Sequence, residues 1–135
     1  MEKAALQSWI KAQFEIEGER IFNKHPEFLV FRHTCNQKWF ALYMKISPEK
    51  LGLVEDAISF PKDSLLEIVN VKVNPEEREI LTSQAGIYPG YHMNKKYWIS
   101  LDIHKVQEPL LKDLIQESYL RTLWRKWKYY VCLLF

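Results

Sequence analysis

Three groups of side chains in this sequence have the types and spacing to do chemistry. His33 and Cys35 stand two apart, as a thiolate–imidazole nucleophile on one strand face would require. No third residue nearby would orient the imidazole, so no catalytic residue is assigned and a non-enzyme is expected. Glu15, Glu17 and Glu19 alternate and could hold a hard cation loosely, although a solvated acidic face explains them more simply. His25, His33, His92 and His104 lack metal-ligand spacing, and neither a glycine-rich phosphate loop nor a Ser-His-Asp pattern occurs. The sequence therefore calls for no metal and no cofactor. The third group is Tyr88-Pro89-Gly90-Tyr91-His92-Met93-Asn94-Lys95-Lys96-Tyr97-Trp98. It reads either as a structural connector or as a wing offering His92, Asn94, Lys95 and Lys96 to a phosphate backbone.

The elements that must position these groups follow from periodicity. Residues 3–16 repeat apolar side chains at Ala5, Trp9, Ala12 and Ile16, which predicts an amphipathic helix stopping near Gly18. Residues 28–33 and 38–46 read as a hairpin, with Asn36 available for a positive φ in the turn between them. Residues 47–63, with Pro48, Gly52 and Pro61 among acids, read as a loop. Residues 65–73 alternate as a third strand. Asn74-Pro75-Glu76-Glu77 starts a short helix that ends near Gly86. A turn through Tyr88-Pro89-Gly90 leads to a fourth strand at 96–103, and Pro109 opens a last helix. The order α-β-β-β-α-β-α predicts an α+β fold: an antiparallel sheet of four strands, or slightly more, with helices on one face.

Strand alternation assigns the faces. Phe40, Leu42, Met44 and Ile46 form one inward set, and Tyr97, Ile99, Leu101 and Ile103 the other. Trp39, Tyr43 and Lys45 then point outward, with Asn70, Lys72, Lys96, Trp98, Ser100, Asp102 and His104. Rings beside lysines are how sheets stack unpaired bases, at roughly 1–3 kcal/mol per base. A second layer burying those rings is the structural alternative.

Composition narrows the class. The 135 residues suit one domain, and 47% apolar with 27% charged residues is globular rather than disordered. Two cysteines make no disulfide framework, no secretory signal is evident, and the longest apolar run, residues 129–135, is far short of a bilayer span. A soluble cytoplasmic domain without integral membrane association is expected, with a monomer favoured. Charge is segregated: residues 121–135 hold four basic groups and no acid, whereas residues 1–120 carry 15 basic against 17 acidic. Such local potential hints at an anionic partner.

The run Pro89-Gly90-Tyr91-His92-Met93-Asn94-Lys95, followed by Tyr97-Trp98-Ile99-Ser100-Leu101, resembles the MmcQ/YjbR family. Val30-Phe31-Arg32-His33, Asn36-Gln37-Lys38-Trp39-Phe40-Ala41-Leu42 and Leu114-Ile115-Gln116-Glu117-Ser118-Tyr119 extend the likeness over residues 3–120. The resemblance implies a fold like that of the bacterial frataxin homologue CyaY, and a double-wing DNA-binding protein. It does not imply frataxin-like iron handling, because no dense acidic ridge is evident. DNA contacts would fall to Arg32, His33, Lys38, Trp39, Lys45, His92, Asn94, Lys95, Lys96 and Trp98. The alternative is a protein-interaction or small-molecule-binding module on the same aromatic face. Residues 1–120 form the domain. Residues 121–135 form a basic-aromatic extension that continues the last helix, reflects an altered reading-frame end, or anchors at a membrane surface.

Overall fold

A computed structural model of the chain describes residues 1–53 and 64–123. Most of the acidic loop, at 54–63, and the extension beyond 123 lie outside the described residues. Among the described residues, three α-helices, α1 (Lys3–Phe14), α2 (Arg78–Thr82) and α3 (Glu108–Leu123), accompany five strands. The strands are β1 (Leu29–Arg32), β2 (Trp39–Ile46), β3 (Leu66–Lys72), β4 (Ile87–Pro89) and β5 (Trp98–Asp102). They pair antiparallel in the order β1-β2-β3-β5-β4. This is the expected α+β class with one added strand. Tyr88-Pro89 belongs to β4 rather than to a turn, because pairing with β5 (Ile87↔Leu101, Pro89↔Ile99) holds a segment too short to show alternation.

The helix face of the sheet carries the main core. Leu6 and Ile10 of α1 and Leu111, Leu114 and Ile115 of α3 pack against Val69, Val71, Ile99 and Leu101. The expected stripe on α1 is rotated by one residue: Leu6 and Ile10 are fully buried, whereas Ala5 and Ala12 are exposed. Both stripes have helical spacing, and the one that removes more apolar area from water wins. The helix stops at Phe14, not near Gly18, because Glu15 adopts φ 57° and its N–H donates to Lys11 O. Asn74 caps a turn through Glu76 N–H, and α2 ends before Ser83, short of Gly86.

The second strand shows where alternation misleads. Phe31 pairs with Ala41 but Arg32 pairs with Trp39, so Phe40 is an extra residue, a β-bulge. Parity changes there. Phe40, Ala41 and Tyr43 all join the helix-side core, while Leu42, Met44 and Ile46 turn to the opposite face. The bulge also anchors α3: Ser118 Oγ donates to Phe40 O (2.6 Å) and accepts from Lys72 N–H (2.8 Å). In the hairpin turn the positive φ falls on Gln37, not Asn36, whose side chain instead bonds Thr122 O and Lys38 N.

The expected wet, ring-studded outer face is therefore not what the sheet presents. Tyr43 is sealed on the helix side, and Trp39 and Trp98 are half-buried. Leu42, Met44, Ile46, Leu66 and Ile68 form a second apolar cluster with Phe28 and Val30, covered in part by Phe22, Leu51, Leu53, Tyr91 and Met93. Tyr97, expected in the core, lies past the end of the buried ladder and is exposed. The turn into β5 is tight. A Cβ on Gly90 would stand 2.8 Å from both the Cβ and the carbonyl oxygen of Trp98. Gly90→Ala should therefore cost about 1–3 kcal/mol by overpacking, measured as a lower urea midpoint at unchanged m-value.

Candidate functional site

The outer face is organised by two polar residues that alternation places outward but that contact no water. Asn70 of β3 and Ser100 of β5 are register partners, both fully buried. Ser100 Oγ donates to Asn70 Oδ1, Asn70 Nδ2 donates to Tyr91 O (2.7 Å), and Tyr91 N–H donates to Ser100 Oγ (3.0 Å). This closed ring holds the segment after Gly90 against the sheet. Asn94 then closes the segment on itself, its Oδ1 accepting from Lys96 N–H and its carbonyl from Tyr97 and Trp98 N–H. Asn94 is thus structural within its own turn. His92 between them is held at φ 59°.

Beside this segment the second cluster is incompletely covered, leaving a pocket of about 410 Å³. Its floor is Leu42, Met44 and Ile46 of β2, and its walls are Phe22, Phe28, Trp39, Tyr91 and Met93. His25, Lys45, Lys50 and His92 complete the lining. The rings are mutually fixed: Phe22 meets Phe28 and Trp39 edge-on, and His25 stacks on Phe28 at 4.4 Å and 9°. A cavity of this size, mostly apolar with a few polar groups, is the usual form of a small-molecule site.

The expected site residues divide by location. Trp39 and His92 meet at this pocket, Lys45 borders it with its side chain on the opposite face beside Glu67, and Lys95 and Lys96 are exposed on the adjoining turn. Trp98 is half-buried, its Cβ and backbone close against Gly90. Arg32 and His33 line a different cleft, of about 430 Å³, between the end of α1 and the hairpin turn. There Arg32 gives Nε and Nη2 to Glu19 at 2.6 and 2.9 Å, and Glu17 pairs with Lys11 at 2.9 Å. Two of the three alternating glutamates are thus matched to cations. Lys38, half-buried, lies on the return from that turn. Alternation could not reveal Phe22, His25, Phe28, Lys50, Tyr91 or Met93, which come from loops. Asn70 and Ser100 did leave a signal, as lone polar residues amid apolar strands.

His33 is neither a nucleophile's partner nor a phosphate-binding cation. It is 2% exposed, packed between the Phe40 and Tyr119 rings, with Nε2 2.7 Å from Thr122 Oγ1. Thr122 Oγ1 also reaches Ser118 O at 2.8 Å and Tyr119 O at 3.2 Å, so this hydroxyl ties the His33 ring to the backbone of α3. Burial lowers its pKa to about 4, and the nearby Lys38 charge acts the same way. The unfolded chain takes up the proton near the ordinary value of about 6.5 and the folded chain only near 4. Stability is thus full above pH 6.5 and falls as pH drops from 6.5 towards 4. Urea unfolding at pH 7 and pH 5 should differ by up to about 2 kcal/mol from this residue, and His33→Gln should remove that part of the difference.

Comparison with known proteins accords with this architecture. The YjbR family model matches residues 12–121, and the chain belongs to the YjbR family. It is 33% identical over 111 residues to the uncharacterized protein YyaQ of Bacillus subtilis, covering 82% of this chain and 88% of that one. A crystal structure of a Pseudomonas syringae protein superposes with a TM-score of 0.82 at 31% identity, over 90% of this chain and 99% of that one. A Deinococcus radiodurans protein with a DUF419 domain superposes with a TM-score of 0.68 at 26% identity, over 96% and 86%. Among the described residues no helix is long and apolar enough to cross a membrane.

Proposed function

We propose that this YjbR-family chain is a cytoplasmic, non-enzymatic binding protein that takes a small ligand in the outer-face pocket. The observation that carries the reading is the pocket itself: an aromatic and methionine-rich recess of about 410 Å³ on a sheet face that the helices leave uncovered. Its walls are ordered before any ligand arrives, by the Asn70–Ser100–Tyr91 hydrogen bonds on one side and the Phe22–Phe28–Trp39 contacts on the other. Preformed walls lower the ordering cost of binding.

A second reading, DNA binding through phosphate contacts, is favoured by the turn beside the pocket. Lys95 and Lys96 are exposed, and the exposed Tyr97 ring has Lys96 Nζ at 5.5 Å and Lys72 Nζ at 5.9 Å from its centroid. Three such phosphate contacts would give a log–log salt slope of about −3 on duplex. Affinity absent at 50 mM salt, by fluorescence anisotropy, would exclude this reading.

The pocket reading is tested with the neutral dye N-phenyl-1-naphthylamine. Its fluorescence should rise saturably at one dye per chain, and Met93→Trp, which fills the recess, should abolish the rise while cooperative urea unfolding persists. No saturable binding, or binding that Met93→Trp leaves intact, would overturn the reading.

A further inference from the structure

The pocket's chemistry narrows what it takes, and this step rests on the pocket reading above. We infer that the ligand is a planar aromatic anion: a fused or linked ring system bearing one carboxylate, sulfonate or phosphate group. Shape is the first argument. The recess is bounded by flat groups held in fixed planes, with Trp39 edge-on to Phe22, His25 stacked on Phe28, and His92 4.0 Å from the Tyr91 ring. The thioethers of Met44 and Met93 complete it. Sulfur against ring edges and rings against rings are contacts that a flat π-system satisfies better than a flexible chain.

Charge is the second argument. Among the described residues lining the pocket there is no carboxylate, while Lys50 and two histidines contribute their side chains. Lys45 borders the pocket, but it stands opposite Glu67 and on the Tyr43 side of the sheet, so its charge is answered there and not in the recess. His25 has the Glu27 carboxylate 4.0 Å from its Nδ1. Lys50 differs. It is exposed on the 3-10 turn Pro48–Leu51 and has no ion pair among the described residues. It is therefore the cation placed to meet a ligand's anionic group at the mouth, where an opposite charge is needed and no hydrogen-bonding cage is built.

Backbone strain is the third argument. His92 keeps a left-handed φ of 59° at the rim, stabilised by the hydrogen bonds on either side of it. Strain of this kind persists where surrounding structure enforces it and concentrates at ligand clamps.

The test compares 8-anilinonaphthalene-1-sulfonate with its uncharged counterpart N-phenyl-1-naphthylamine on the full chain. The two share a ring system and differ in the sulfonate. The anionic dye should bind once per chain. Lys50→Gln should weaken it roughly three- to tenfold and Lys50→Glu further, and 0.5 M NaCl should erase the difference between wild type and variant. The neutral dye should change less than twofold in every case. Lys50 is exposed, so folding is not at issue in these variants. If the neutral dye binds but the anionic one is unaffected by Lys50→Gln, Lys50→Glu and salt, the charge inference is overturned and the pocket reading stands. If neither dye binds saturably, the pocket reading falls and the inference falls with it.

Discussion

Asn70 and Ser100 sit side by side at the centre of a sheet, fully buried, and their hydrogen-bonding capacity has to be met. An unsatisfied polar group in such a place costs roughly 1–3 kcal/mol. The Tyr91 backbone meets it, and with that one closed ring of bonds the chain after Gly90 becomes a second covering layer instead of a free loop. The position of Met93, the strain at His92 and the exposure of Lys95 and Lys96 all follow from this attachment. Without it the outer face would be an apolar slab open to water.

The same logic explains why the outer layer is incomplete. Helices α1 and α3 cover one face of the sheet continuously, whereas the other is covered by pieces: Phe22 before β1, the turn after β2, and the locked segment before β5. Pieces fixed at separate points leave gaps between them, and the pocket is lined by what each piece contributes. A pocket whose lining comes from three separated stretches of sequence is a product of packing, with its rigidity drawn from hydrogen bonds made elsewhere.

Much of the architecture was legible in the sequence, because long amphipathic runs and hairpin-linked strands carry strong periodic signals. The class, the order of the main elements and the inward set Ile99, Leu101 and Ile103 were readable in this way. The site was not. A single extra residue at Phe40 reversed the faces of β2, and no local pattern announces a bulge whose carbonyl is bonded by the distant Ser118 on α3. Tyr43, read as exposed, has its hydroxyl bonded to Glu67 at 2.6 Å, and burial followed by that bond raises its pKa. Glu67 itself is pushed upward by burial, yet the hydrogen bonds from Tyr43 and His104, with the His104 and Lys45 charges, hold it below its ordinary value. Couplings across 24 and 37 residues leave no trace in a periodicity.

The two margins of the sheet differ from its faces in one respect. At β1, Glu19 bridges to Val30 by a reciprocal pair of 2.9 Å bonds, and Phe28 N–H is taken by His25 O. At β4, Ile87 N–H is taken by Gln84 O, and Pro89 has no N–H to give. Among the described residues, a foreign strand approaching either rim would find few donors to continue the ladder, which disfavours edge-to-edge growth. Recognition is thereby favoured at the broad sides of the layer, where side chains rather than backbone decide what is accepted.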